Sequence, residues 1–345
     1  MPRQLVTQDG KTYSFKEYEM AQIGPLDVRV RTLFAAPKHG TESHMMAGSA
    51  FDRKQWNPDL RMFLAKSESQ SPTAAERSIG NTIVGEIIAI GPEVARFKIG
   101  DHVFGYGAIQ EEHQAPEAHW HSRQNLTVEN AVCVDPAHVA FVAVRDGNIR
   151  IGDAVAVYGL GAIGLLAVQI ARASGARQVF AVDPAPLRRA YAAAHGADAV
   201  FDPNACDAAL EIKHATGNKG VDVSLETSGN SRALHDAIRC IRQCGTVVHV
   251  AWGPENATHL HLDEEWHLNR PTLIGSQAVW NNPDRSHPLW DKARAWQTVT
   301  DLFDANILTA AGLVTPIISF EQAPELLAGV FLEADAAIKV GVSFD

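Results

Sequence analysis

The stretch DAVAVYGLGAIGLLAVQIARASGARQVFAVD, residues 153–183, decides the fold. Ala154 to Tyr158 is a short apolar run of strand type, and from Leu165 to Arg172 apolar residues recur at helical spacing. Between them lie Gly159, Gly161 and Gly164, and a second apolar run ends in Asp183. Strand, glycine turn, helix, strand and terminal acid in this order describe one half of a dinucleotide site. Gly159 permits the turn, Gly161 lets a pyrophosphate approach the backbone, and Gly164 lets the helix pack on the sheet. The phosphates then sit at the helix N-terminus, beside Ala162 and Ile163. Asp183 can accept both adenosine ribose hydroxyls and would repel a 2′-phosphate, so the expected cofactor is NAD rather than NADP.

Downstream the alternation continues. Pro184 to His195 reads as a helix, residues 197–201 as a strand, and Ala205 to Thr216 as a helix. Residues 221–226 form a strand ending in the small loop Thr227, Ser228, Gly229. A helix from Ser231 to Cys244 stops at Gly245, a strand follows to Ala251, and one more spans 272–280, placed at a subunit edge. Such alternation predicts a doubly wound parallel sheet with ligands at the carboxyl ends of its strands, so Thr227, Ser228, Gly229 and Ala251 should border the cofactor. Leu289 to Phe303 has helical period, with Trp296, Val299 and Phe303 on one buried face.

Upstream the pattern is β-rich: a strand at 28–33, a turn into a strand at 79–91, a hairpin at 94–107, and an apolar helix from Asp135 to Arg145. Residues 313–344 read as strand, helix, strand, a return that completes the first domain. The expected division is therefore residues 1–146, 147–304 and 305–345.

Composition narrows the function. A formal net charge of -10, with no basic block interleaved with aromatics, argues against nucleic acid. The first ten residues lack an apolar signal core and no run reaches membrane-spanning length, so a cytoplasmic protein without membrane contact is expected. Cys133, Cys206, Cys240 and Cys244 are scattered, which suggests buried free thiols rather than a disulfide frame or a four-cysteine zinc lobe.

The polar loop Lys38-His39-Gly40-Thr41-Glu42-Ser43-His44 supplies the other half of the reading. Taken with the glycine turn it resembles the medium-chain dehydrogenase/reductase superfamily, which includes zinc alcohol and polyol dehydrogenases, over nearly the whole chain. The resemblance implies an α/β fold: a GroES-like β-rich catalytic domain, a Rossmann domain with a doubly wound parallel sheet, and a C-terminal return. It implies a homodimer or homotetramer acting on a small hydroxylated substrate. In the zinc enzymes the loop resembles Gly-Ile-Cys-Gly-Thr-Asp-x-x-His. Here Thr41 and His44 keep the hydroxyl and relay positions, and His39 replaces the cysteine ligand. A second signature, Gly-His-Glu, has become Gly80-Asn81-Thr82. A third ligand position, Glu before Pro, matches Asp135 before Pro136, and the structural zinc lobe is missing.

These departures favour a member without catalytic zinc. Oxidation of an alcohol then needs a side chain to take the hydroxyl proton as hydride leaves for the nicotinamide. His39 is the expected base, Thr41 orients the oxygen, His44 passes the proton outward, and Glu42 holds an imidazole in one tautomer. Asn81 donates to the oxygen, and Asp135 binds a substrate hydroxyl or pairs with His39. His113, His119 and His121 read as surface or loop residues. The leading expectation is an NAD-dependent dehydrogenase of a secondary alcohol on a sugar, cyclitol or other polyol. Three alternatives stand beside it: a zinc-dependent polyol dehydrogenase with His39 and Asp135 among its ligands, a zinc-free quinone or enone reductase, and a non-catalytic NAD-binding protein.

Overall fold

The computed structural model describes residues 1–38, 40–42, 50–66, 76–253, 256–278, 290–333 and 337–344. Two compact units divide the chain: Met1–Val128 with Thr315–Glu333 and Lys339–Asp345, and Glu129–Val314 with Ala334–Ile338. No helix among the described residues is long and apolar enough to cross a membrane.

The second unit is built on a six-stranded parallel sheet. Its strands lie in the order Ala199–Phe201, Gln178–Val182, Ala154–Tyr158, Val221–Glu226, Ile241–His249 and Thr272–Gly275. The strand that opens the glycine motif is central, so every residue from Ala154 to Tyr158 is buried and the run carries no polar alternation. Helix Ala162–Ala173 buries every residue from Gly164 to Ala171, more than the single apolar face its period predicts. Helix Lys292–Asp304 is capped by Asp291, which accepts from the Arg294 amide at 2.8 Å, and it buries Ala295, Trp296, Val299 and Phe303.

Three local expectations differ. Helix Val128–Asp146 begins seven residues before Asp135 and runs on through Pro136. Its residues from Asn130 onward are buried in the second unit, where Asn130 Oδ1 accepts from the Ala310 amide at 2.9 Å. The two units therefore divide ahead of this helix, not near residue 146. Helix Ser231–Arg239 stops five residues before Cys244, and the next strand starts at Ile241. Burial of Ile241 beside its strand partner Val221 outweighs the helical period, and the chain turns through a left-handed Cys244 at φ 56°. Cys244 is consequently exposed and Cys206 only partly covered, whereas Cys133 and Cys240 are the buried thiols.

The first unit carries a mainly antiparallel sheet in the order His121–Ser122, His102–Ala108, Gly80–Ile90, Asp27–Pro37, Lys339–Ser343 and Val314–Ser319, with Glu112–Pro116 also paired to Asp27–Pro37. Its core gathers Leu5, Val28, Val30, Ile83, Ile87, Val103, Trp120, Val340 and Val342. The C-terminal strand thus enters a sheet laid down three hundred residues earlier. Its Lys339 is buried, and the ammonium donates to the Pro37 carbonyl at 2.9 Å, where the polar loop begins.

Candidate functional site

The nominated cofactor residues follow the carboxyl ends of four neighbouring strands. Gly159 takes φ 86°, a left-handed turn conformation that suits glycine. A Cβ on Gly164 would lie 1.9 Å from the Gly159 carbonyl oxygen, whereas a Cβ on Gly161 would meet nothing within 4 Å. Gly164 is therefore required for close packing, and Gly161 borders open space at the N-terminus of helix Ala162–Ala173, beside Ala162 and Ile163. This space fits a pyrophosphate, since backbone amides and the helix dipole converge on it.

Asp183 sits to one side of the turn, 3 % exposed. Its Oδ2 accepts from the Leu160 amide at 2.7 Å and its Oδ1 from the Ala185 amide at 2.8 Å, so two backbone donors fix the carboxylate. Arg188 and Arg189 are tethered nearby. Arg188 donates through Nε and Nη2 to the Ala337 carbonyl and places Nη1 3.8 Å from Asp183 Oδ2. Arg189 donates to the Asp183 and Pro184 carbonyls and pairs with Asp202.

On the other side of the turn, Thr227 donates from Oγ1 to the Gly159 carbonyl at 2.6 Å, and its amide donates to Tyr158. Ser228 backs onto Gly159, and Gly229 faces Ala251. Two residues that sequence reasoning passed over organise this loop. Glu226, wholly buried, accepts through Oε1 from the amides of Ser228 at 2.7 Å and Gly229 at 2.9 Å and from the Ser228 hydroxyl. Its Oε2 faces His249 Nδ1 at 2.8 Å. The bond to Glu226 raises the His249 pKa against the opposing effect of burial. A charged residue at the buried end of a strand was the available signal for Glu226; nothing local marked His249 as its partner.

In the first unit, residues 40–42 form a helical turn that presents Thr41 and Glu42. His39 and His44 lie outside the described residues. Glu42 is 5 % exposed, and its Oε2 pairs with Arg77 Nη2 at 2.9 Å. Among the described residues this carboxylate thus pairs with a guanidinium, which the sequence reading did not nominate. Burial raises the Glu42 pKa above its ordinary value, and Arg77 opposes that rise. Asn81 lies on strand Gly80–Ile90, in register with Pro37, and its amide Nδ2 donates to Thr82 Oγ1 at 3.2 Å. Asp135 is buried at 1 % exposure in the second unit. His113, expected at the surface, is buried on strand Glu112–Pro116; burial pushes its pKa down to about 4, so this imidazole is neutral at pH 7.

The Glu42 shift carries a pH consequence. Because its folded pKa lies above the ordinary value, the native state holds more protons than the unfolded one, and stability falls as pH rises from about 4.5 toward the folded value. Glu42→Gln is expected to remove that falling segment from the curve of unfolding free energy against pH, measured by urea denaturation. An unchanged curve would mean that Glu42 is not the group responsible.

At the position where the resemblance calls for a zinc-binding histidine, Asn81 offers a neutral amide, a poor zinc ligand. One group of side chains among the described residues could share an ion: His235, Glu264 and Glu265 bring ligand atoms within 4.8 Å of one another. None of the three belongs to the nominated site.

Comparison with known proteins bears on the family and the fold. A family model described as "Zinc-binding dehydrogenase" matches residues 162–292. The D-guloside 3-dehydrogenase of Escherichia coli (strain K12) is 35 % identical over 351 residues, covering 99 % of this chain and all of that protein. Among solved structures, 2R,3R-butanediol dehydrogenase from Bacillus subtilis shares the fold with a TM-score of 0.78 at 22 % identity, covering both chains completely. A zinc-binding dehydrogenase from Sinorhizobium meliloti 1021, bound to NADP, shares it with a TM-score of 0.76 at 19 % identity over 99 % of each chain. A relative of this similarity spanning the full length settles the family: the chain belongs to the medium-chain dehydrogenase/reductase superfamily, with an α/β fold and the architecture of its dehydrogenases.

Proposed function

We propose that the protein is an NAD-dependent dehydrogenase of a secondary alcohol on a sugar, cyclitol or other polyol, working without a catalytic zinc. The observation that carries the cofactor assignment is the fixed Asp183 carboxylate, held by two backbone amides beside the glycine turn, where a carboxylate can accept ribose hydroxyls. The substrate class is supported by the full-length relative named for a D-guloside and by the polar character of Thr41, Asn81 and Asp135, since paired donors and acceptors discriminate hydroxyl patterns.

In this reading NAD, when bound, supplies the hydride acceptor. Gly161, Ala162 and Ile163 receive its pyrophosphate, and Asp183 receives the adenosine ribose. Thr227, Ser228, Gly229 and Ala251 border the nicotinamide half. Thr41 orients the substrate hydroxyl, Asn81 donates to its oxygen, His39 takes the proton, and His44 passes it outward. Glu42 acts through Arg77 to hold the loop, and Asp135 binds a second substrate hydroxyl. The neutral amide at Asn81 supports a zinc-free reaction. The enzyme is assigned to the cytoplasm as a homodimer or homotetramer.

Asp183→Ser is the direct test. It removes the ribose acceptor and the charge that opposes a 2′-phosphate, with Arg188 left 3.8 Å from the vacated position. The ratio of kcat/KM with NAD to that with NADP, measured on a panel of sugars and polyols, should fall by about 10- to 100-fold, the worth of one or two charge-assisted hydrogen bonds. A ratio that does not move overturns the NAD assignment. Absence of turnover by the wild-type protein on every sugar and polyol tried overturns the substrate class.

A further inference from the structure

The sheet order separates the two halves of the dinucleotide site. Strand Gln178–Val182, which ends at Asp183, lies on one side of the central Ala154–Tyr158; strands Val221–Glu226 and Ile241–His249 lie on the other. A dinucleotide whose adenosine ribose rests on Asp183 and whose pyrophosphate crosses the glycine turn must lay its nicotinamide half over the ends of the latter two strands. Those are the strands that Glu226 and His249 terminate, and their side chains are joined there at 2.8 Å.

Glu226 does more than satisfy itself. A wholly buried carboxylate must find hydrogen-bond donors to offset lost hydration, and this one takes three from Ser228 and Gly229 through one oxygen. The loop is thereby bent around the carboxylate, while Thr227 ties its front edge to the Gly159 carbonyl. The second oxygen is held by His249, whose imidazole is three-quarters buried, at 24 % exposure. The backbone joins the two strand ends as well, through the Val250 amide to the Glu226 carbonyl at 2.8 Å. The position of the 227–229 loop relative to the glycine turn is therefore set by where the carboxylate sits, and the carboxylate is set by the imidazole.

We propose that Glu226 and His249 are positioning residues for the nicotinamide half of the dinucleotide: the buried carboxylate–imidazole pair holds the Thr227–Gly229 loop in the shape that seats it. This rests on the dinucleotide reading of the glycine turn. The pair touches the loop, and the loop touches the cofactor. Asp183, across the central strand, anchors the adenosine half without reference to His249.

Two ligands separate the halves. NAD uses both; AMP lacks the second phosphate, the second ribose and the nicotinamide and uses the Asp183 side alone. Their dissociation constants are to be measured by calorimetry on the full-length wild-type protein and on His249→Phe and His249→Gln. His249→Phe should weaken NAD by about tenfold or more, the effect of leaving one oxygen of a buried carboxylate without its donor. AMP should change by less than about twofold, a difference under 0.5 kcal/mol. His249→Gln, which restores an N–H donor, should recover most of the NAD affinity; a merely space-filling role would not distinguish it from phenylalanine. If His249→Phe fails to fold, as judged by circular dichroism and thermal unfolding, Glu226→Gln carries the test with the same expected separation of the two ligands. Unchanged NAD affinity, or an equal loss of both ligands, overturns the positioning role. A wild-type protein that binds neither ligand overturns the dinucleotide reading itself.

Discussion

Replacing Gly164 by alanine is expected to abolish NAD binding and to destabilise the protein by about 3 kcal/mol or more, the upper part of the range for overpacking a close-packed site. The new methyl would fall 1.9 Å from the Gly159 carbonyl oxygen and 2.8 Å from Thr227 Oγ1, and the first of these is backbone that no side-chain rotation can move. The helix would have to lift off the sheet, and in lifting it would break the Thr227 bond to Gly159, on which the loop depends. Gly161→Ala makes the informative contrast. Its methyl meets nothing within 4 Å, so the apo protein should unfold at the wild-type temperature, yet the group would occupy the space assigned to the pyrophosphate. Thermal unfolding together with NAD titration separates the two. If Gly161→Ala binds NAD as the wild type does, the pyrophosphate lies elsewhere.

The contrast explains why this part of the fold could be read from the chain. The glycine turn, its strand and its helix are contiguous, and each glycine answers a steric demand made by residues within a few positions of it, as Gly164 answers Gly159. The alternation of strands and helices is equally local, and it gives the parallel sheet. What local pattern cannot carry is competition between helical period and long-range burial. Residues 240–244 fit the helix that precedes them, but Ile241 gains a wholly buried place beside Val221 only by leaving it. Residues 130–134 go the other way: they look like a connection, yet they are helical and buried in the second unit.

The polar loop shows the same limit more sharply. Its composition marks Thr41 and Glu42 as candidates. The partner that fixes the Glu42 charge lies 35 residues away, in a segment with no motif. Likewise Glu226 and His249 are 23 residues apart and meet only because their strands are neighbours. Ion pairs of this kind carry no spacing rule, so a sequence yields the charged residue and not its counterion. The assignment of Glu42 to an imidazole rests on the histidines adjacent in sequence, which lie outside the described residues; the guanidinium of Arg77, on strand Arg77–Ser78, reaches the carboxylate as well.

Arg77→Ala should for this reason be costly. Glu42 has a side-chain exposure of 6 %, so removal of the guanidinium leaves a desolvated carboxylate without its counter-charge. Breaking a fully buried pair costs about 3–5 kcal/mol; Arg77 is itself 31 % exposed, which brings the expected loss to about 2–4 kcal/mol. Two controls identify the cause. Glu42→Gln in the Arg77→Ala background removes the unpaired charge and should recover most of the lost stability, giving a strongly non-additive double-mutant cycle. Acid should act in the same direction. Burial already raises the Glu42 pKa, and loss of Arg77 raises it further, so the carboxyl takes up a proton at higher pH and the gap between Arg77→Ala and wild type narrows as pH falls. Urea denaturation across the acidic range measures both effects. A loss of stability that is additive with Glu42→Gln and constant with pH would place the contribution of Arg77 in the packing of its side-chain stem. The charge it offers to the loop below Thr41 would then be irrelevant to folding.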